Sequence, residues 1–75
     1  MDFSDLIIHV NETLEANERE SLENELRKLN GVIAPRFNKQ TPHLLLVSYN
    51  PQKIGSSQLL KRVKAHDYNA QLIGM

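Results

Sequence analysis

The residues best able to do chemistry lie near the N-terminal end of the chain. Three glutamates, Glu12, Glu15 and Glu18, recur every three residues, and His9 precedes them. Carboxylate oxygens bind hard divalent ions, and an imidazole nitrogen adds affinity for transition metals. Three carboxylates without a second histidine make a weak set of ligands. We therefore interpret Glu18 first as a residue that favours a helix N-terminus, and the other two glutamates as solvated side chains.

Other residue types exclude whole classes of function. The 75 residues include no cysteine, which excludes disulfides, thiolate metal sites and a cysteine nucleophile. No Ser/His/Asp set, phosphate-binding loop or cofactor motif is present, so we expect neither an enzyme nor a bound cofactor. His43 and His66 are distant from His9 and from each other along the chain. We expect both to be surface histidines without a ligand role.

The length and the hydrophobic pattern indicate one small domain over residues 1–75. The longest apolar run is Leu44–Val47, so we expect no membrane insertion. The first residues are acidic and lack the basic and apolar regions of a signal peptide. We therefore expect a cytoplasmic protein.

Short apolar runs and punctuating residues predict six elements in the order β-α-β-β-α-β. Asn17 followed by Glu20 is the pattern of a capping box and predicts the start of the first helix. Gly31 and Asp67 are placed to adopt a positive φ where the helices end. The predicted strands are residues 6–10, 32–37, 43–49 and 70–73, and Ser56 or Ser57 is predicted to cap the second helix. This order is typical of the α+β ferredoxin-like sandwich, a four-stranded antiparallel sheet with two helices on one face.

The ordered spacing of several short motifs resembles the heavy-metal-associated (HMA) domain of copper chaperones and of metal-pumping ATPases. The motifs are Leu29–Val32 at the end of the first helix, Val47–Pro51 at the end of the third strand, and Tyr68–Leu72. The resemblance implies the strand order 4-1-3-2 and a Cys-x-x-Cys loop after the first strand. Glu15 and Glu18 stand at about those two positions here. Glutamate disfavours the soft ion Cu(I), so we expect no tight binding of monovalent copper.

The side of the sheet away from the helices is predicted to be apolar. The resemblance implies that Leu45 and Val47 face the helices, and alternation along the strand then turns Leu44 and Leu46 the other way. The same alternation sends Leu6, Ile8 and Val10 inward, and Ala70 and Leu72 likewise. We predict that four side chains meet on this open face: Ile7, Leu44, Leu46 and Ile73. We interpret this cluster as a surface for a protein partner or for a homodimer.

Opposite charges are separated along the chain. Residues 1–26 carry eight carboxylates against one arginine, and residues 27–75 carry eight basic side chains against one aspartate. The simpler interpretation is two oppositely charged helix faces, and the sharper one is a charged docking surface. RNA-recognition domains share the predicted chain order but stack bases on aromatics of their central strands, where this sequence has Tyr49 in the third strand and no aromatic residue in the first. We expect no nucleic-acid partner.

Two functional hypotheses remain from these observations. The first is an HMA-like domain without soft-metal ligands that acts as a protein-interaction or docking module linked to metal trafficking. The second is a divalent metal-ion binding protein that uses Glu12, Glu15, Glu18 and His9. An amino-acid-sensing regulatory domain of similar topology agrees less well with the spacing from Tyr49 to Tyr68.

Overall fold

The computed structural model describes residues 2–73, which form four strands and two helices. Their bounds are β1 (Ser4–Val10), α1 (Ala16–Arg27), β2 (Val32–Asn38), β3 (Thr41–Tyr49), α2 (Ser56–Lys64) and β4 (Ala70–Ile73). The predicted β-α-β-β-α-β order is confirmed. Neither helix in this part of the chain is long and apolar enough to cross a bilayer.

The sheet has the order β2-β3-β1-β4, and each pairing is antiparallel. This is the order 4-1-3-2 read from the other edge. Strands β1 and β3 therefore lie in the centre, and β2 and β4 lie at the edges. The ferredoxin-like class predicted from the sequence is confirmed.

The core lies between the sheet and the two helices. In β1, Leu6, Ile8 and Val10 are at most 2% exposed, which confirms the predicted alternation. Leu22 and Leu26 of α1 pack on the same core. Fully burying an aliphatic side chain of this size contributes about 1.5–3 kcal/mol, so this face fixes the register of the central strands. The other fully buried core side chains include Leu45, Val47, Leu59 and Val63.

The first helix begins earlier than the sequence predicted. Glu15, not Asn17, is the N-cap residue. The backbone N–H of Glu15 donates to Glu18 Oε1 at 2.7 Å, which is half of a capping box shifted by two residues from the predicted one. Glu18 also lies in the first turn, where a negative charge favours the helix dipole, as expected. The second helix likewise begins one residue earlier, with Gly55 as its N-cap.

A glycine turn joins the end of α1 to the end of β3. Gly31 has φ +101°, and a Cβ there would lie 2.8 Å from Lys53 Cβ, so only glycine is accommodated without strain. The Gly31 carbonyl accepts the Asn50 N–H at 2.7 Å. Asp67 has φ 65°, so the positive φ predicted at both positions is confirmed. The hydrogen bond between Gly31 and Asn50 therefore joins two motifs of the HMA resemblance, Leu29–Val32 and Val47–Pro51.

Candidate functional site

The open face of the sheet carries the four apolar residues that the sequence placed there. Ile7 of β1 lies opposite Leu46 of β3 on one side and opposite Ile73 of β4 on the other. Leu44 precedes Leu46 by two residues along β3 and lies opposite His9. All four side chains are half-buried, between the closed core and full exposure. We call Ile7, Leu44, Leu46 and Ile73 the open-face cluster.

Polar and charged residues surround the open-face cluster at one end. Arg36 of β2 lies opposite Leu46, and Ser48 lies opposite Asp5. The Ser48 hydroxyl donates to Asp5 Oδ1 at 2.6 Å. A depression of about 220 Å³ lies among these polar side chains, with Ile7 and Leu46 also in its lining. An apolar centre with a polar rim is the usual composition of a protein interface.

The outer edge of β2 is closed to pairing with another strand. Pro35 has no N–H to donate, and its presence at an edge strand agrees with the prediction from the sequence. The next outward N–H, that of Phe37, donates to Glu23 Oε2 of α1 at 2.7 Å. A second chain that added a strand at this edge would have to displace Glu23. Pro35 and the contact from Glu23 therefore oppose strand addition at this edge.

The predicted carboxylate ligands make hydrogen bonds of their own. Both oxygens of Glu12 accept the Asn69 N–H at 2.9 Å, and Oε2 also accepts the Asn69 side-chain amide at 3.0 Å. The backbone hydrogen bond from Asn69 holds the pKa of Glu12 below its ordinary value. Glu12 therefore ties the loop after β1 to the start of β4.

The helix α1 N-terminus lies close to Tyr68. Burial raises the pKa of the Tyr68 hydroxyl, and the negative charges of Glu18 and Glu12 raise it further. Glu15 and Glu18 lie where the loop that follows β1 meets the start of α1, as the HMA resemblance implied. Glu18 is engaged by the Glu15 backbone.

No group of three or more histidine, aspartate or glutamate side chains in residues 2–73 has an arrangement that would hold a metal ion. The structure brings Glu15 and Glu18 together at the start of α1, and Glu12 is anchored on Asn69. His9 does not join them through a hydrogen bond, because its Nδ1 pairs with Asn11 Oδ1 at 2.9 Å. No observation favours the carboxylate-held divalent ion over the structural roles of these glutamates.

Sequence reasoning missed a contact between two histidines. His43, expected to be isolated, lies with its ring 5.7 Å from the ring of His9, and the ring planes differ by 16°. The antiparallel register that pairs His9 with Leu44 places His43 beside the end of β1. The contact could have been predicted from the sequence once the register of β1 and β3 was assigned, because that register brings His43 close to His9.

The third histidine contacts the other helix. His66 Nε2 forms a hydrogen bond with Glu25 Oε2, and Arg62 Nη1 lies 3.7 Å from Glu25 Oε1. The His66 ring also stacks on Tyr68 at 5.6 Å. This arrangement places acidic α1 against basic α2, as the simpler interpretation of the charge separation expected.

Comparison of the sequence with known proteins gives a family match and no match to a curated protein. The family model described as BRCA1 C Terminus (BRCT) domain matches residues 1–73, and the chain belongs to that family. No curated protein matches the sequence significantly.

Comparison with solved structures shows the fold. The N-terminal domain of a potential copper-translocating P-type ATPase from Bacillus subtilis, in the Cu(I)-loaded state, is 23% identical with a TM-score of 0.86, covering 97% of this chain and 90% of that chain. Oxidized MerP from Ralstonia metallidurans CH34 is 12% identical with a TM-score of 0.83, covering 97% of this chain and 100% of that chain. The CopZ metallochaperone is 20% identical with a TM-score of 0.80, covering 91% of this chain and 100% of that chain.

The predicted resemblance to HMA domains is therefore confirmed for the fold. The family model that matches the sequence describes a BRCT domain, whereas the similar solved structures are metal-related domains. The sequence match and the structural similarity therefore point to different groups of proteins. The strand pairings and their register define the architecture directly. At these identities the likeness shows the fold alone.

Proposed function

We propose that this chain is a protein-interaction module that docks through the open-face cluster, in a setting of metal trafficking. The observation that carries the proposal is the register of the central strands. It places Ile7 between Leu46 and Ile73 on the face that the helices leave uncovered. The partial exposure of these side chains leaves some apolar area for a partner to bury.

The size of the cluster sets a limit on how it binds. Complete burial of such side chains is worth about 1.5–3 kcal/mol each, and most of that gain is already realised here because the four side chains are partly buried. Association costs about 4–15 kcal/mol in lost freedom before any affinity appears. The four side chains alone do not offset that cost. The partner must also contact the rim formed by Arg36, Asp5 and Ser48.

The link to metal trafficking is supported by the fold and limited by the side chains. The similar structures are described as a Cu(I)-loaded ATPase domain and a metallochaperone. This chain has no cysteine, and Glu15 and Glu18 occupy the junction where the resemblance implies thiolates. We infer that it does not carry the soft ion itself and acts by contact with other proteins, of which a second copy of this chain is the first.

The substitution Leu46→Lys tests the docking surface. It puts a charge at the centre of the cluster, where burial without a partner charge is costly. The first occupant to test is a second copy, so sedimentation velocity is measured over a wide range of concentration. We expect self-association in the native chain and a monomer in Leu46→Lys.

A matched variant controls for the added charge. Ile33 is 45% exposed and lies outside the open-face cluster, so Ile33→Lys makes the same chemical change elsewhere. We expect Ile33→Lys to associate like the native chain. An unchanged monomer for the native chain and both variants would exclude self-association through this face.

A further inference from the structure

We propose that a second copy of this chain docks on the open face with its central strands aligned to those of the first, and that Arg36 of each copy pairs with Asp5 of the other. The inference rests on the proposed function, because it describes how that docking surface meets a copy of itself. It is carried by two opposite charges that border the open-face cluster.

The strand register places both charges on the open face. Arg36 of β2 lies opposite Leu46 of β3, and Leu46 lies opposite Ile7 of β1, so the three form one row across the sheet. Asp5 precedes Ile7 by two residues along β1 and therefore lies on the same face, one row away. The Arg36 and Asp5 side chains are exposed and line the depression of about 220 Å³.

Neither charge is neutralised by an ion pair within residues 2–73. The two ion pairs in that part of the chain both involve Glu25, one with Arg62 and one with His66. Asp5 accepts a hydrogen bond from the Ser48 hydroxyl at 2.6 Å, and that donor carries no charge. A carboxylate and a guanidinium that meet form strong charge-assisted hydrogen bonds. Both groups are therefore available to a partner that presents the opposite charge.

Twofold symmetry determines which side chains meet when two copies pack face to face. Packed sheets lie about 10 Å apart with their strands aligned to within about 30°. A twofold axis that runs along the strands, between β1 and β3, places β3 of one copy over β1 of the other and β2 over β4. Leu46 then faces Ile7, and Arg36 projects over Ile73. Asp5 of the second copy lies one strand and one row from that Arg36, a span that the long arginine side chain bridges.

A twofold axis across the strands would bring like charges together. If the axis follows the row of Arg36, Leu46 and Ile7, each residue of the row lies over the same residue of the second copy. Two arginines would then face each other, and like charges that meet at an interface oppose association. The axis along the strands avoids this contact and still covers the open-face cluster.

The second copy therefore supplies the rim contact that the apolar cluster requires. Because the interface is symmetric, the pair of Arg36 with Asp5 occurs twice. Complementary charges at a rim speed the encounter of two proteins and disfavour wrong orientations. The charge pair thus sets the orientation, and the apolar side chains supply the buried area.

Charge reversal and mixing test this arrangement. Arg36→Glu leaves acidic side chains at both positions, and Asp5→Lys leaves basic ones, so each variant alone should self-associate at least about tenfold more weakly than the native chain. An equimolar mixture of the two variants restores both pairs of opposite charges and should associate like the native chain. Sedimentation velocity over a wide range of concentration measures each sample.

Two reversals on the helices control for the change of net charge. Glu20→Lys in α1 and Lys61→Glu in α2 alter exposed side chains on the other side of the sheet. Each of these variants, and their mixture, should associate like the native chain. If a reversal on the open face unfolds the chain, Arg36→Gln and Asp5→Asn remove the same charges with little change of shape. Both should weaken association and reduce its dependence on salt.

The outcomes distinguish this inference from the proposed function. Self-association that Leu46→Lys abolishes, but that both reversals leave unchanged, would overturn the arrangement and retain the docking surface. Weaker association in both reversals without recovery in their mixture would also overturn the arrangement, because Arg36 and Asp5 would then act separately. A native chain and a mixture that both stay monomeric at every concentration would overturn the homodimer and this inference together.

Discussion

At the residue scale, the glutamates that look like metal ligands serve as local hydrogen-bond acceptors. Glu12 holds two N–H groups of Asn69, and Glu18 holds the N–H of Glu15. A carboxylate that already accepts such bonds has less capacity for a cation, because the ion must compete with them. The sequence spacing of the glutamates is therefore explained by the loop and the helix start.

The lowered pKa of Glu12 predicts an acid-dependent loss of stability. The folded state favours the ionised form, so its contribution is present above the ordinary value of 4.5 and is lost as the pH falls through the lowered pKa. Urea unfolding across this acidic range should show that Glu12→Gln has a flatter dependence on pH than the native chain. Glu20→Gln, which removes an exposed carboxylate elsewhere, should retain the native dependence. Identical profiles for both variants would contradict the role assigned to Glu12.

At the scale of elements, the start of α1 distinguishes two capping schemes. The structure uses Glu15 and Glu18, whereas the sequence favoured Asn17 and Glu20. Glu18→Ala removes the acceptor for the Glu15 N–H and a charge that favours the helix dipole, and should cost about 1 kcal/mol in urea unfolding. Asn17→Ala should cost much less. The opposite ranking would restore the predicted scheme.

One hydrogen bond from α1 protects the outer edge of β2. The Phe37 N–H, which faces away from β3, is satisfied by Glu23 Oε2 at 2.7 Å. Glu23→Ala should destabilise the fold by roughly 1–3 kcal/mol, because that N–H loses its partner, and should promote aggregation through the uncovered edge. Unfolding and light scattering measure the two effects. Glu20→Ala on the same helix serves as the control and should show neither.

At the scale of the whole molecule, the separated charges contribute more to the surrounding field than to stability. The contact between Arg62 and Glu25 at 3.7 Å joins side chains that are 48% and 35% exposed. Pairs of this kind contribute about 0–1 kcal/mol, since solvent and salt screen them. The field of an acidic first helix and a basic second helix remains available to orient a partner.

The fold was predictable because its signals are local and agree with one another. Alternation in β1 and β3, the glycine at position 31 and the proline at position 35 each determine one feature, and together they define the sandwich. The predicted start of α1 was wrong because Glu15 and Asn17 are each followed by a glutamate three residues later, so both have the spacing of a capping box. The structure uses the first of these two glutamate pairs, with Glu15 as the N-cap residue.

The candidate sites were predictable only in part. The open-face cluster follows from alternation plus strand order, so its four members were found together. The contact between His9 and His43 depends on strand register across 33 intervening residues, which no local motif records. Glu12 and Asn69 are likewise distant in sequence, and their contact appears only once β4 is placed beside β1.

The central claim is that the open face is the surface on which a second protein docks. A dilution series of ¹H–¹⁵N spectra of the native chain tests it most directly, with a second copy as the first occupant. The account predicts concentration-dependent shifts centred on Ile7, Leu44, Leu46 and Ile73, absent in Leu46→Lys. Shifts that map to the helices, or that persist in Leu46→Lys, would contradict it.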